Sequence, residues 1–198
     1  MIKPFYIFIT GILLSGIYAC ETDTSPKPNA WPRVHYPESD DSVVFDDPDC
    51  PYTFTLPGYY EIDRNVTYFK ETPDDPCWMN LICKDLNATI YLSNKPLDEK
   101  YSYAQMIEDA YKLTYKHSSR ADFIEPQEIE NANGVHGLIY FVGGDAASNF
   151  QFFVTDTVHH FVRGALYFNN KPNADSLKPV IQFMVQDIEG MLGSWKWK

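Results

Sequence analysis

Four residues near one predicted hairpin, Asp156, His159, His160 and Arg163, combine side chains that can carry out acid–base chemistry. A carboxylate, an imidazole and a guanidinium can transfer protons and hold charge when they lie close together. We predict a tight turn at Asp156 followed by a strand over 158–168, on which alternation places His159 and Arg163 on one face. The adjacent His159 and His160 then point to opposite faces, which disfavours a shared metal ion.

Two interpretations of this hairpin stay open. In the first, Asp156, His159 and Arg163 serve a hydrolase, which requires their side chains to converge in a pocket. In the second, these side chains hold the turn and, with His160, present a contact surface to a partner. The sequence contains no G-x-S-x-G, H-E-x-x-H, P-loop or G-x-G-x-x-G motif, patterns that position nucleophiles, zinc ions or nucleotide cofactors. We therefore favour the second interpretation and expect no enzymatic activity, cofactor, metal ion or small-molecule substrate.

The cysteines indicate one disulfide rather than redox or zinc chemistry, because the sequence lacks a CxxC spacing. Cys77 and Cys83 lie six residues apart in an extended segment, about 20 Å if fully stretched. A disulfide needs Cα atoms within about 7 Å of each other. We therefore predict that Cys50 pairs with Cys77 and that Cys83 is buried and reduced.

The first twenty residues predict a lipoprotein leader. Their apolar run is too short for a spanning helix, which needs about 20 apolar residues, and is typical of a signal peptide. It ends in the tetrapeptide IYAC, which has the form of a bacterial lipobox. We predict that 1–19 is removed and that Cys20 carries acyl chains such as palmitate, since more than one chain gives lasting membrane attachment. An ordinary secretory signal or an uncleaved anchor is the alternative.

Charge and composition separate a tether from a folded body. The net charge is −11, with 27 acidic against 16 basic residues, so we expect no nucleic-acid partner. Residues 20–49 contain five prolines and many acids; we predict a tether with a short edge strand at 33–36, and its acids lack the spacing of a calcium loop. Residues 50–198 are predicted to form a single globular domain.

Apolar periodicity within this body predicts the element order β-β-β-α-β-β-β-α. A capping box at Ser102 opens the first helix, which runs to His117, where we expect a hydrogen-bonded core histidine. The second helix opens at Asp175 or Ser176 and carries Trp195 on its apolar face. The fold is an α/β (α+β) antiparallel sheet flanked by helices, one on each face, similar to the PsbP/Mog1-type α/β/α sandwich. The predicted strands are 52–56, 78–83, 88–92, 137–142, 149–155 and 158–168.

Several longer segments also carry a family resemblance. The chain resembles the gliding motility lipoprotein GldD family of the Bacteroidetes over nearly its whole mature length, although Cys83 departs from the family pattern. The resemblance implies a cell-envelope lipoprotein required for gliding and the associated type IX secretion, working alongside other gliding lipoproteins without established enzymatic activity. The matching segments are PKP at 26–28 with Arg33 and Pro37, CPYTF at 50–54, CWMN at 77–80, YKH at 115–117, QFFVTDT at 151–157, HFVRGALYF at 160–168 and PNADSL at 172–177.

Our leading hypothesis is a non-enzymatic accessory component or stabiliser of the gliding and secretion machinery. It is anchored through lipid to the inner or outer membrane, faces the periplasm, and has other envelope lipoproteins as partners. The alternative is a periplasmic or surface module that binds glycan or peptide, which abundant aromatic residues allow. An open aromatic groove favours this alternative, whereas rings buried on both sheet faces argue against it.

Overall fold

Two antiparallel sheets and two helices form the part of the chain that the computed structural model describes, residues 33–66, 73 and 75–198. The predicted signal peptide 1–19, Cys20 and the first part of the tether lie outside the described residues. The strands are β1 Ser42–Asp46, β2 Tyr52–Pro57, β3 Glu61–Asp63, β4 Met79–Cys83, β5 Ala88–Pro96, β6 Ala121–Glu130, β7 His136–Gly144, β8 Phe150–Thr155, β9 His160–Phe168 and β10 Lys196–Trp197, and the helices are α1 Tyr103–Tyr115 and α2 Ala174–Ser194.

The larger sheet has seven strands in the order β3-β4-β5-β9-β8-β7-β6, and every neighbouring pair is antiparallel. Strands β8 and β9 form the hairpin expected from the sequence, with Thr155 opposite Phe161 and Phe150 opposite Leu166. Gly164 allows this pair to pack tightly, because a Cβ there would lie 2.1 Å from the Phe152 ring. The α+β prediction of an antiparallel sheet flanked by helices is confirmed.

Helix α2 covers one face of this sheet and also contacts the smaller sheet. Its buried stripe includes Met184, Ile188 and Met191, spaced as a 3.6-residue period requires. The same apolar core contains side chains of both sheets, including Ile90, Phe152 and Leu166 of the larger one and Tyr52, Phe54 and Leu56 of the smaller one. One hydrophobic core therefore joins α2 to the seven-stranded sheet and to the three-stranded sheet of order β1-β2-β10.

Helix α1 covers the opposite face of the larger sheet. Its N-terminus has the predicted capping box, in which Ser102 accepts from the Gln105 backbone and Gln105 accepts from the Ser102 backbone. Met106 and Ala110 pack against Phe153 and Phe161 in a second core. Among the described residues, neither helix is both long and apolar enough to cross a lipid bilayer.

The two ends of the described chain differ from the sequence prediction. The edge strand expected at 33–36 is wrong: the strand lies at Ser42–Asp46 and pairs with β2. Val34 packs on the core and the Tyr36 ring lies 4.8 Å from that of Phe183, so the 33–36 segment is held by side chains without strand pairing. Three strands, Glu61–Asp63, Ala121–Glu130 and Lys196–Trp197, lie where the sequence predicts none.

The C-terminal helix is also shorter than predicted. It ends at Ser194, and Trp195 has the extended backbone angles φ −61° and ψ 136°. The Trp195 ring stacks 4.6 Å from Tyr52 and 5.1 Å from Phe54, and the next two residues pair with β2 as β10. Packing of a fully buried indole therefore overrides continuation of the helix.

A disulfide joins Cys50 to Cys77, with Cα atoms 5.5 Å apart, and Cys83 is free and buried. Both predictions are confirmed. Cys50 lies just before β2 and Cys77 just before β4, so the bond ties the smaller sheet to the larger one. The Tyr52 hydroxyl donates to the Cys77 carbonyl over 2.8 Å, which adds a hydrogen bond at the same junction.

Removing this bond by Cys50→Ala with Cys77→Ala is expected to destabilise the fold by about 3–4 kcal/mol, because the unfolded chain regains loop entropy. Chemical denaturation of the described body, with and without a thiol reductant, measures the effect. The single variant Cys83→Ala is the control and should keep its sensitivity to the reductant. Equal stability of the double variant and the parent chain would contradict this role.

Candidate functional site at the β8–β9 hairpin

Asp156 organises the hairpin turn through its carboxylate. Its Oδ1 accepts the backbone N–H groups of Val158 at 3.0 Å and of His159 and His160 at 2.8 Å each. Partial burial pushes the pKa of Asp156 upward, but these three N–H donors outweigh it and hold the pKa below its ordinary value. The carboxylate is therefore ionised near neutral pH and held by the turn, which makes it a poor general base.

Thr157 adopts a left-handed backbone conformation at the tip of the hairpin, with φ +66°. This conformation is unfavourable for a β-branched residue. Two hydrogen bonds of Thr155 Oγ1 hold it: the hydroxyl accepts from Thr157 N–H at 2.8 Å and donates to the His160 carbonyl at 2.7 Å. The strained tip exposes 60% of Val158 to solvent.

The two histidines approach the same carboxylate. His159 Nδ1 lies 3.8 Å and His160 Nε2 lies 3.9 Å from Asp156 Oδ2. The prediction that strand alternation separates them is wrong, because His159 precedes the first residue of β9. The His159 side chain is 72% exposed, whereas the His160 ring stacks 5.3 Å from Trp197. Even so, the described residues contain no group of three ligating side chains arranged to hold a metal ion.

Arg163 belongs to a different polar group, under helix α1. Its guanidinium donates to Gln151 Oε1, which also accepts from Thr114 Oγ1 at 3.2 Å. Thr114 and Gln151 are almost fully buried and were not singled out from the sequence. The prediction that His159 shares a strand face with Arg163 is therefore wrong, since His159 lies in the exposed turn. The structure brings Asp156, His159 and His160 together and directs Arg163 to Gln151.

His117 is half-buried at the end of helix α1, and among the described residues its ring has no hydrogen-bond partner. The expectation of a hydrogen-bonded core histidine is wrong. Burial lowers the pKa of His117, and the nearby charge of Arg163 lowers it further. The ring is accordingly neutral at pH 7.

A half-buried carboxylate that sequence reasoning missed lies on helix α2. Asp187 Oδ2 accepts hydrogen bonds from the hydroxyls of Tyr59 at 2.6 Å and Tyr60 at 3.0 Å. Burial raises the pKa of Asp187, although both hydrogen bonds oppose the shift. An acidic residue three positions after the buried Met184, on the apolar side of α2, was the available sequence signal. The contacts tie α2 to the segment that precedes β3.

Replacing Asp156 tests the turn. Asp156→Ala leaves three backbone N–H groups without their acceptor and is expected to cost about 1–3 kcal/mol in the free energy of unfolding. Asp156→Asn keeps an oxygen at the same position and should cost clearly less. Denaturant titration compares the variants, and a loss as large for asparagine as for alanine would show that charge, rather than the acceptor geometry, holds the turn.

The partly buried His160 makes the free energy of unfolding depend on pH. Burial lowers its pKa, while Asp156 raises it and His159 lowers it. Because the folded pKa lies below the unfolded value of about 6.5, protonation favours the unfolded chain, and stability is lost as the pH falls below that value. His160→Phe keeps a ring on Trp197 and should flatten the decline in unfolding free energy between neutral and mildly acidic pH. The exposed His35→Phe is the control, and an unchanged slope in His160→Phe would contradict the account.

Comparison with known proteins identifies the family of the chain. The profile of the gliding motility lipoprotein GldD family matches residues 21–197. Among solved structures, a cyanobacterial PsbP (CyanoP) from Synechocystis sp. PCC 6803 is similar at 11% identity and a TM-score of 0.44, over 79% of this chain and 92% of that one. A comparison with curated proteins gives no match. Because the profile spans nearly the whole sequence, including the hairpin, the chain belongs to the gliding motility lipoprotein GldD family.

Proposed function

We propose that this protein is a non-enzymatic accessory component of the gliding motility and type IX secretion machinery, and that the tip of its β8–β9 hairpin is a partner contact. The observation that carries the proposal is the exposed Val158–His159 tip on a turn whose polar groups hold the backbone. Family membership supports the cellular process. The partner on this view is another envelope lipoprotein of the same machinery.

The state of the polar side chains supports a contact rather than catalysis. Asp156 accepts three backbone N–H groups, and Arg163 donates to a buried glutamine. A hydrolase built on Asp156, His159 and Arg163 requires these groups to converge on a substrate. In the described structure the first two lie at the exposed turn, whereas the third lies under helix α1.

The conformation of the tip also supports a contact. Thr157 is a β-branched residue at positive φ, a conformation that costs on the order of 1–3 kcal/mol of backbone strain. Such strain persists where the surrounding structure enforces it, often at functional sites. The turn hydrogen bonds fix the tip before any partner arrives, so little conformational entropy is lost on association. Val158 offers an apolar side chain and His159 a polar one to the partner.

Membrane attachment belongs to this proposal through Cys20. Acyl chains on that residue hold the folded body at the periplasmic side of a membrane. Anchoring confines the tip to a thin layer, which raises the effective concentration of partners anchored in the same membrane. A weak contact of a few side chains is then sufficient.

The aromatic residues give little support to the alternative of a glycan- or peptide-binding module. Phe150 and Phe152 are buried on the α2 side of the larger sheet, and Phe153 and Phe161 are buried on the α1 side. Sugar recognition by stacking requires exposed ring faces. Rings buried on both faces instead form the core.

The test compares two exposed valines in living cells. A photoreactive residue at position 158 should crosslink to an envelope protein, and Val158→Asp should impair gliding and secretion at a normal protein level. Position 44 is the matched control, because Val44 is 63% exposed on β1, and its photoreactive and Asp variants should behave as the parent.

Three outcomes bear on the proposal. Normal gliding and secretion by Val158→Asp cells would contradict a contact at the tip. The same captured proteins at positions 158 and 44 would show that crosslinking reports proximity alone. Loss of function by Asp156→Asn with full function of Val158→Asp would favour the hydrolase.

A further inference from the structure

A cavity of about 390 Å³ lies at the opposite end of the larger sheet from the hairpin tip. Three connections form it: the one between α1 and β6, the one between β7 and β8, and the one between β9 and α2. These connections meet because α1 ends, β9 ends and β8 begins at the same edge of the fold. The polar side chains that line it are Lys116, His117, Ser119, Arg120, Asp145 and Lys171.

Three basic residues are grouped around this cavity without an acidic partner in the described part of the chain. Elsewhere Lys and Arg side chains commonly pair with acids: Arg64 with Asp47, Lys84 with Glu61, Lys112 with Glu108 and Lys198 with Asp46. Lys116, Arg120 and Lys171 have no acidic partner within 4.0 Å among the described residues. In a chain with 27 acidic against 16 basic residues, the grouping of three such cations around one cavity is the feature that sets it apart.

The acid in the lining does not neutralise them. Asp145 Oδ1 accepts the Ala174 backbone N–H over 2.8 Å, at the first residue of α2. That helix end is electropositive, so the carboxylate is already stabilised there. With three cations against this one carboxylate, the lining keeps an excess of positive charge.

Uncharged donors complete the lining. The ring of His117 has no hydrogen-bond partner among the described residues, and the Ser119 hydroxyl also makes none there. Burial keeps the imidazole neutral, so it presents one N–H donor. Ammonium, guanidinium, imidazole and hydroxyl groups together form a donor-rich set, which suits an oxyanion with several acceptor oxygens.

We propose that this cavity binds a phosphate group. Phosphate carries more charge than a single carboxylate and matches three cations, and Arg and Lys are its usual protein donors. A volume of 390 Å³ also leaves room for the organic group that bears the phosphate.

An adjacent cavity restricts where the anion sits. It shares Arg120 and Asp145 but is also lined by Asp122 and Asp175. Those acids repel an anion on that side, so the phosphate lies toward Lys116 and Lys171. The ligand is therefore a single phosphate group rather than a polyphosphate chain that extends across both cavities.

Binding is tested by calorimetry on the full protein in detergent with three probes: inorganic phosphate, glycerol 3-phosphate, and short-chain dihexanoyl phosphatidic acid. Dihexanoyl phosphatidylcholine is the control for the lipid probe, because it has the same acyl chains without a phosphomonoester. Lys116→Gln with Lys171→Gln should weaken binding at least about tenfold, the equivalent of about 1.4 kcal/mol. Lys196→Gln, which changes an exposed lysine outside the cavity, should leave it unchanged.

The arms of the experiment separate the sources of the phosphate. Binding of inorganic phosphate or glycerol 3-phosphate supports a soluble phosphate ligand, and binding of dihexanoyl phosphatidic acid alone, without dihexanoyl phosphatidylcholine, supports a lipid headgroup. Both require the loss in the double variant. No binding of any probe at millimolar concentration, equal binding by the double variant and the parent, or displacement of phosphate by succinate at the same concentration would overturn the proposal. None of these results depends on the hairpin contact.

Discussion

Strand β8 is buried on both faces, and the arrangement around the hairpin depends on this constraint. All six residues from Phe150 to Thr155 are buried, since α2 covers one side and α1 the other. A strand in the middle of a sheet, covered on both faces, has little freedom to shift its register. The hairpin that continues from it is therefore fixed in position, and its fully exposed residues are those of the tip, 157–159.

The same constraint explains why polar side chains have different partners in the core and at the turn. Within the covered region, polar side chains must find partners, and Thr114 and Arg163 meet Gln151 there. Where the strand leaves the core, Asp156 satisfies three backbone N–H groups that would otherwise lack acceptors. Residues that look like one catalytic set in the sequence are thus separated by the boundary between core and solvent. Spacing along the chain does not reveal that boundary.

The sequence predicts those parts of the fold that local patterns encode. Consecutive apolar residues around β8 indicate a strand covered on both sides, and the Ser102–Gln105 capping box marks the start of α1. Strand β6 was missed because its run of acids and Pro126 resembles a loop; it is an edge strand, where exposed charge and proline are tolerated. Long-range packing determines where α2 ends and how it is held. The Trp195 ring stacks on Tyr52 of a strand distant in sequence, and Asp187 accepts hydrogen bonds from Tyr59 and Tyr60. No window of sequence contains such contacts.

The proposed function rests on the rigid tip as a contact surface of a membrane-anchored protein. Amide hydrogen exchange of the protein in native envelopes, compared with the purified protein, tests this most directly. We expect slower exchange at Val158 and His159 in envelopes, with unchanged exchange across β1 at Ser42–Asp46. Equal exchange at the tip in both preparations would contradict it.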